Sequence, residues 1–283
     1  MSFEKIPPKI LVLIKGAGEM ATGCAYRLWR AGFDVVMTEL PRPLCIRRTV
    51  SFAQAVYTGR LAVEGVRAVL VKAEEITAVQ AGGEIPVVID PAGELVRSLR
   101  PWCVVDARLA KVNPGTSRDE AELVIGLGPG FTAGEDVHVV IETARGHFLG
   151  RTIYAGAALP NTGVPGEIAG RSGERVLRAT GAGTFQPLVE IGAQVKAGQL
   201  VARCDQKPVI AAIDGLVRGM LHPGLEVSPG LKVGDIDPRG DRDMCCTISE
   251  KARAVGGGVL EAVLARLSGR EPVSTGLPVL FTS

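Results

Sequence analysis

What this chain of 283 residues has little of narrows it before any motif is read. Net charge is only +2, so no excess of one sign is present to draw the chain to nucleic acid. No apolar run approaches the ~18 residues of a membrane span, and the opening residues lack the long hydrophobic stretch of a secretion signal. A cytoplasmic protein is expected. The pentapeptide at 159–163 matches a cell-wall sorting signal but sits mid-chain without a hydrophobic tail, and is set aside as chance. Six cysteines form no C-x-x-C pair and have no histidines at zinc spacing, so no metal-ligand set is expected and the thiols should be reduced. Aromatic residues are scarce at 4%, whereas glycine is abundant at 36, which suits tight turns and a core of small residues. Hydrophobic and charged contents of 46% and 22% describe a globular chain with room for one large or two medium domains.

The most informative stretch is 10–39. Ile10 to Ile14 is wholly apolar, the pattern of a strand buried on both faces of a parallel sheet. Gly16, Gly18 and Ala21 follow at the G-x-G-x-x-G/A spacing of a dinucleotide turn. The first glycine allows a tight turn, the second lets a pyrophosphate approach, and the small third residue lets the helix pack on the strand. A helix over 19–30 buries Met20, Cys24 and Leu28 and ends at Gly32. A second strand over 34–38 leads to Glu39, placed to accept ribose hydroxyls. Ala17, Glu19 and Met20 complete the expected phosphate turn. The Glu19 carboxylate would repel a phosphate unless turned away; the alternative is an acid favoured by the helix dipole. Arg42, Arg47 and Arg48 are either an anion clamp beside Glu39 or a solvated basic turn.

Beyond this unit, strands over 66–71, 86–90, 103–106 and 123–127 alternate with short helices, which specifies a mostly parallel sheet. Its carboxyl edge gathers Glu39, Asp90 and Asp106, with Lys111 just beyond, and ligands of such sheets lie at that edge. The glycine loop at 126–132 reads as a tight turn rather than an anion cradle, because no helix follows it. His147, one of three histidines with His138 and His222, is the best acid–base candidate by residue type, against a structural, hydrogen-bonded histidine. Cys24 and Cys103 fall in core patterns. Cys245 and Cys246 follow a polar stretch and are read as exposed, either incidental thiols or carriers of a soft metal, sulfur or selenium.

Composition changes after a glycine-rich linker. The segments 191–199 and 223–232 both contain G-x-x-V-x-x-G, which suits two quasi-equivalent hairpins. This resembles the barrel-sandwich hybrid of biotinyl and lipoyl carriers. Lys207 is the nearest match to a modifiable lysine, but its short spacing to Gly215 and the following proline argue against covalent biotin or lipoate. The expected organisation is a Rossmann-like nucleotide-binding domain over 1–160, a linker over 161–178 and a barrel-sandwich-like domain over 179–240. The remaining 241–283 should form a helix and tail returning to the first domain. Gly256, Gly257 and Gly258 are expected to break that helix, with a restart at Val259, and an apolar tail is expected to pack as a strand.

Several segments together carry a family resemblance. They are 16–23, Arg47-Arg48-Thr49-Val50-Ser51-Phe52, Asp106-Ala107-Arg108-Leu109-Ala110-Lys111, 128–134, Glu142-Thr143 with Arg145-Gly146-His147, and Asp235-Ile236-Asp237-Pro238-Arg239. The chain resembles the YqeB-type accessory proteins of selenium-dependent molybdenum hydroxylases. That resemblance implies a role in maturing or supplying the hydroxylase's molybdenum and selenium (or sulfur) centre, with the hydroxylase as partner. A nucleotide, NAD(P) or another adenine or cytosine nucleotide, would occupy the glycine turn, with Gly16, Ala17, Gly18, Glu19, Met20, Ala21, Glu39, Arg47 and Asp106 around it. Cys245 or Cys246 would carry the chalcogen. The alternatives are a free-standing NAD(P)-dependent oxidoreductase using His147 or Lys111 as proton donor, and a non-catalytic nucleotide-binding protein. No nucleic-acid or membrane partner is expected, and self-association is left open.

Overall fold

The apolar run before the glycine turn forms a buried strand, and the rest of a large sheet is laid down on either side of it. The computed structural model describes residues 10–164 and 166–271. Its first part contains β1 (Leu11–Lys15), α1 (Glu19–Arg30), β2 (Asp34–Glu39), α2 (Ala55–Thr58), β3 (Arg60–Val63), β4 (Val66–Leu70), α3 (Ile76–Ala81) and β5 (Ile85–Ile89). Next come α4 (Glu94–Leu99), β6 (Cys103–Asp106), β7 (Leu123–Leu127), β8 (Thr132–Ala133), β9 (Val139–Ile141), β10 (Thr152–Ile153) and β11 (Gly156–Ala157). Nine of these strands form one sheet in the order β10-β9-β7-β6-β1-β2-β5-β4-β3. β8 and β11 pair separately.

Two features correct the expected architecture. First, the large sheet is mixed: β3 and β10 run antiparallel to their neighbours and close both edges. The tight turn at Glu64-Gly65, with both residues at positive φ, folds 60–70 into a hairpin where a single strand was expected. Second, the later chain builds two four-stranded antiparallel sheets. They are made from β12 (Val176–Arg178), β13 (Gly183–Pro187), β14 (Gln194–Val195), β15 (Leu200–Cys204), β16 (Lys207–Ile210), β17 (Gly215–Met220), β18 (Glu226–Val227) and β19 (Lys232–Asp237). Their orders are β12-β19-β17-β14 and β16-β15-β13-β18. The biotinyl/lipoyl-type assignment therefore falls. The repeated G-x-x-V-x-x-G produces two short strands, β14 and β18, each with a buried valine (Val195 and Val227), one in each sheet. Glycine turns around a buried valine serve antiparallel pairing generally, so the repeat did not specify a carrier. Lys207 is no hairpin tip either: it opens β16, paired with Cys204.

The large sheet carries a core on each face. Alternation sends Val12 and Ile14 to the face covered by α1, and Leu11 and Leu13 to the face covered by α3 and α4. The second unit has its own core around Phe185, Val201 and Ile236. It docks on the segment after β2: Arg42 donates to the Gly224 carbonyl, Arg48 Nε to the Met220 carbonyl at 2.7 Å, and Tyr57 stacks on His222 at 3.8 Å between ring centroids. The chain then returns through α5 (Asp243–Cys246) and α6 (Glu250–Ser268).

α6 is continuous through its three glycines, contrary to the expected break. The reason lies in its neighbours. A Cβ at Gly256 would stand 2.5 Å from the Gly23 carbonyl oxygen on α1, and one at Gly23 would stand 2.4 Å from that of Ala252 on α6. Gly23 and Gly256 let the two helix backbones touch, and that packing outweighs the poor helix propensity of glycine, about 1 kcal/mol each. Ser249 caps the helix, its hydroxyl accepting the Ala252 amide at 3.2 Å. The tail expected to pack as a strand lies outside the described residues from 272 onward.

Candidate functional site

The chain order reverses between β1 and β6. After β1 it builds β2 to β5 on one side, then crosses to build β6, β7, β9 and β10 on the other. Loops that leave adjacent parallel strands in opposite directions open a crevice at the carboxyl ends. A cleft of about 1220 Å³ lies there, with Gly16, Gly18, Glu39, Asp90 and Arg108 among its walls. Ligand pockets of about 300–1,000 Å³ are usual, so nucleotide-sized molecules fit.

The glycine turn forms one end. Gly16 has φ +93°, a region side chains strain to adopt, and closes on the Ala107 carbonyl. Gly18 has an ordinary φ of −66° and open space where a Cβ would project. It stands at the N-cap of α1, whose first turn has no side-chain cap, so the amide end of the helix dipole faces the cleft. Ala17 and Ala21 are buried beneath the turn, while Glu19 and Met20 line the cleft.

Glu39 joins this turn directly. One carboxylate oxygen accepts the Ala17 amide and the other the Leu40 amide, each at 2.8 Å. Burial pushes its carboxyl up, opposed by those two hydrogen bonds. Each oxygen retains a lone pair for a ribose hydroxyl. Glu19 is turned onto Arg47 at 3.3 Å, which offsets the charge that would repel a phosphate. Arg47 also donates from Nη2 to the Met244 carbonyl at 2.8 Å. Arg42, Arg47 and Arg48 thus tie the turn to the second unit and to α5, and none of them lines the cleft.

Asp106 ends β6 wholly buried. Arg108 donates to it from Nε at 3.1 Å and from Nη2, and the Thr116 hydroxyl donates at 2.7 Å. Burial raises the Asp106 carboxyl, but these hydrogen bonds outweigh it and hold the group below the ordinary carboxylate range. Thr116 accepts in turn from Lys15 Nζ at 2.8 Å, and Lys15 pairs with Glu120 at 2.6 Å. Asp237 and Arg239 repeat the same D-x-R clasp at the end of β19, with 2.7 Å between Nη2 and Oδ2. Asp90 is occupied in shaping the fold, since its two oxygens accept the Glu94 and Leu95 amides that open α4.

Other expected residues stand elsewhere. Lys111 is exposed with φ +66° and does not line the cleft. His147 is exposed in a separate shallow hollow beside Phe148 and Glu261. Cys245 is buried, its thiol 3.7 Å from the Val217 carbonyl, and burial pushes its pKa up. Only Cys246 of the pair is exposed, which corrects the expectation for Cys245. Successive helix positions turn by about 100°, so the two thiols face different surroundings. Cys103 opens β6, at the end of the strand away from the glycine turn, and is buried without lining the cleft. Among the described residues no three His, Cys, Asp or Glu side chains gather as a metal-ligand set, and no helix is long and apolar enough to cross a membrane.

Sequence reasoning passed over Lys15, Thr116, Glu120 and Cys45, which lines the cleft with its thiol pushed up to about 12 by burial. Lys15 did leave a signal, as the one charge ending an apolar strand just before a glycine turn. Thiol titration of the native protein should show one fast-reacting group, lost in Cys246→Ser. A second fast thiol retained in that variant but lost when Cys245→Ser is added would contradict the burial of Cys245.

No family model matches the chain. It is 52% identical over 255 residues, 90% of its length, to the Escherichia coli K12 protein YqeB, which is described as uncharacterised. The chain is kin to YqeB. It spans about half the length of that relative, 47%. Among solved structures it is similar to an aspartoacylase family protein from Mesorhizobium loti, at 11% identity and a TM-score of 0.24 over 81% of this chain and 85% of that one. It is also similar to the ectoine utilization protein EutE (DoeB) from Ruegeria pomeroyi, at 14% identity, with the same TM-score and coverage. Likeness at that level carries no argument about the fold or chemistry of the chain.

Proposed function

We propose that this YqeB relative binds a nucleotide at the glycine turn and acts as an accessory protein in maturing a selenium-dependent molybdenum hydroxylase. The carrying observation is the joining of Glu39 to the turn. A helix N-terminus open to a phosphate and a carboxylate with free lone pairs for a ribose share one wall of a nucleotide-sized cleft. The hydroxylase link rests on the resemblance of the quoted motifs to the YqeB-type family, together with the kinship to YqeB. An oxidoreductase reading finds less support, since neither His147 nor Lys111 lines the cleft.

Gly18→Asp is the deciding variant. Its Cβ meets open space at an ordinary φ, so the variant should fold with little change in melting temperature. Its carboxylate would take the phosphate position. With ATP, CTP or NAD at about a hundred times the dissociation constant, the parent protein should gain roughly 2.7 kcal/mol, and the variant should gain none. Co-expressed with the hydroxylase, the variant should leave that enzyme inactive. A parent that no nucleotide stabilises would sink the binding reading, and an active hydroxylase beside the variant would sink the accessory one.

A further inference from the structure

The cleft does not continue across the switch point. Loop 107–121 closes that direction, with Thr116 buried in it and held by Lys15 and Asp106. The loops after β7 and β9 contribute nothing to the lining. The cleft instead turns down the sheet face opposite α1. Lys15 shares that face with Leu11 and Leu13, and Val96 of α4, part of the core there, lines the cleft too. Its far end reaches Arg97, Arg100, Pro101 and Ala121, at the amino end of β6. A strand rise of about 3.3 Å per residue puts roughly 10 Å between the two ends along β6.

Charge differs sharply along this path. Near the turn every ionised group has a partner: Glu19 with Arg47, Lys15 with Glu120, Arg108 with Asp106, and Glu39 and Asp90 with backbone amides. At the far end the Arg97 and Arg100 guanidinium groups have no hydrogen bond or ion pair among the described residues, and both are exposed to the cleft. Asp119 is the cleft acid whose carboxylate likewise lacks a bonded partner there.

Resting on the nucleotide reading above, we infer that the ligand is a nucleoside polyphosphate of the triphosphate type. Its ribose and first phosphate lie at Glu39 and the α1 N-terminus, and its phosphate tail runs down the sheet face to Arg97 and Arg100. A nicotinamide dinucleotide laid across the switch point has no room, because loop 107–121 fills that path.

Calorimetric titration of the full chain with AMP and with ATP tests this. ATP should bind more tightly than AMP, and Arg97→Gln/Arg100→Gln should weaken ATP by roughly tenfold or more while leaving AMP within about twofold. The charge-matched Arg30→Gln/Arg60→Gln pair, exposed and outside the cleft, should change neither. If AMP binding depends on Gly18 but ATP keeps its affinity in the Arg97/Arg100 variant, the tail placement is overturned and the nucleotide site stands. Equal loss in the control pair, or tighter binding of NAD than of ATP, also overturns it. If neither AMP nor ATP binds, the nucleotide reading fails and the tail placement fails with it.

Discussion

Asp106→Ala should lower unfolding stability by about 3 kcal/mol at neutral pH, measured by urea denaturation. That is the low end of the ~3–5 kcal/mol for breaking a buried ion pair. Asp106 is fully buried and accepts from Arg108 and Thr116, so its removal strands two donors. The low end applies because the Arg108 side chain is 36% exposed and can turn toward water. Its pH dependence has a definite sign. The folded carboxyl is held below its ordinary value, so its contribution is complete above the unfolded pKa of about 3.9 and is lost as pH falls through the lower folded value. Parent and Asp106→Asn should therefore differ most at neutral pH and converge below about pH 4. A difference unchanged down to pH 3 would show that the ionised carboxylate is not what holds the loop.

What could be read in advance follows the range of the forces involved. The span 10–39 folds nearly as its sequence suggests, because an apolar run, a glycine turn and an amphipathic helix are local signals. α1 begins and ends at the expected residues, Glu19 and Arg30. The clasp around Asp106 was only half visible. Asp106 stood out as a strand-end acid, but Lys15 meets Thr116 and Glu120 across separations of 101 and 105 residues, and nothing near Lys15 names those partners. The arginines after β2 show the same limit. Arg42, Arg47 and Arg48 sit close to Glu39 in sequence, yet their partners are carbonyls 182, 197 and 172 residues away. Local charge patterning describes what a segment offers, and only the tertiary fold decides what takes it. The G-x-x-V-x-x-G repeat erred in the opposite direction, because its valines and turns are real while the architecture inferred from them was too specific.

Gly23→Val should be the most damaging single substitution on the face of α1 that meets α6. Its side chain would be driven into the Ala252 backbone, where even the first added carbon stands 2.4 Å from the carbonyl oxygen and 2.8 Å from its carbon. Backbone cannot swing aside as a flexible side chain can, so the helices must separate or shift. Overpacking of this kind costs about 1–3 kcal/mol, and lost burial between the helices adds to it. A β-branched residue also loses rotamer freedom in a helix, a further few tenths of a kcal/mol. A total of about 4 kcal/mol is expected, enough to remove much of the stability of an ordinary domain. Gly257→Val separates packing from propensity. Gly257 lies on the same helix with nothing within 4 Å of its Cβ position, so a valine there should be neutral or mildly stabilising. If both variants melt like the parent, α6 does not rest on α1 through its glycines. If Gly23→Val alone collapses, the close backbone approach of α1 and α6 at Gly23 and Gly256 is what fastens the two helices.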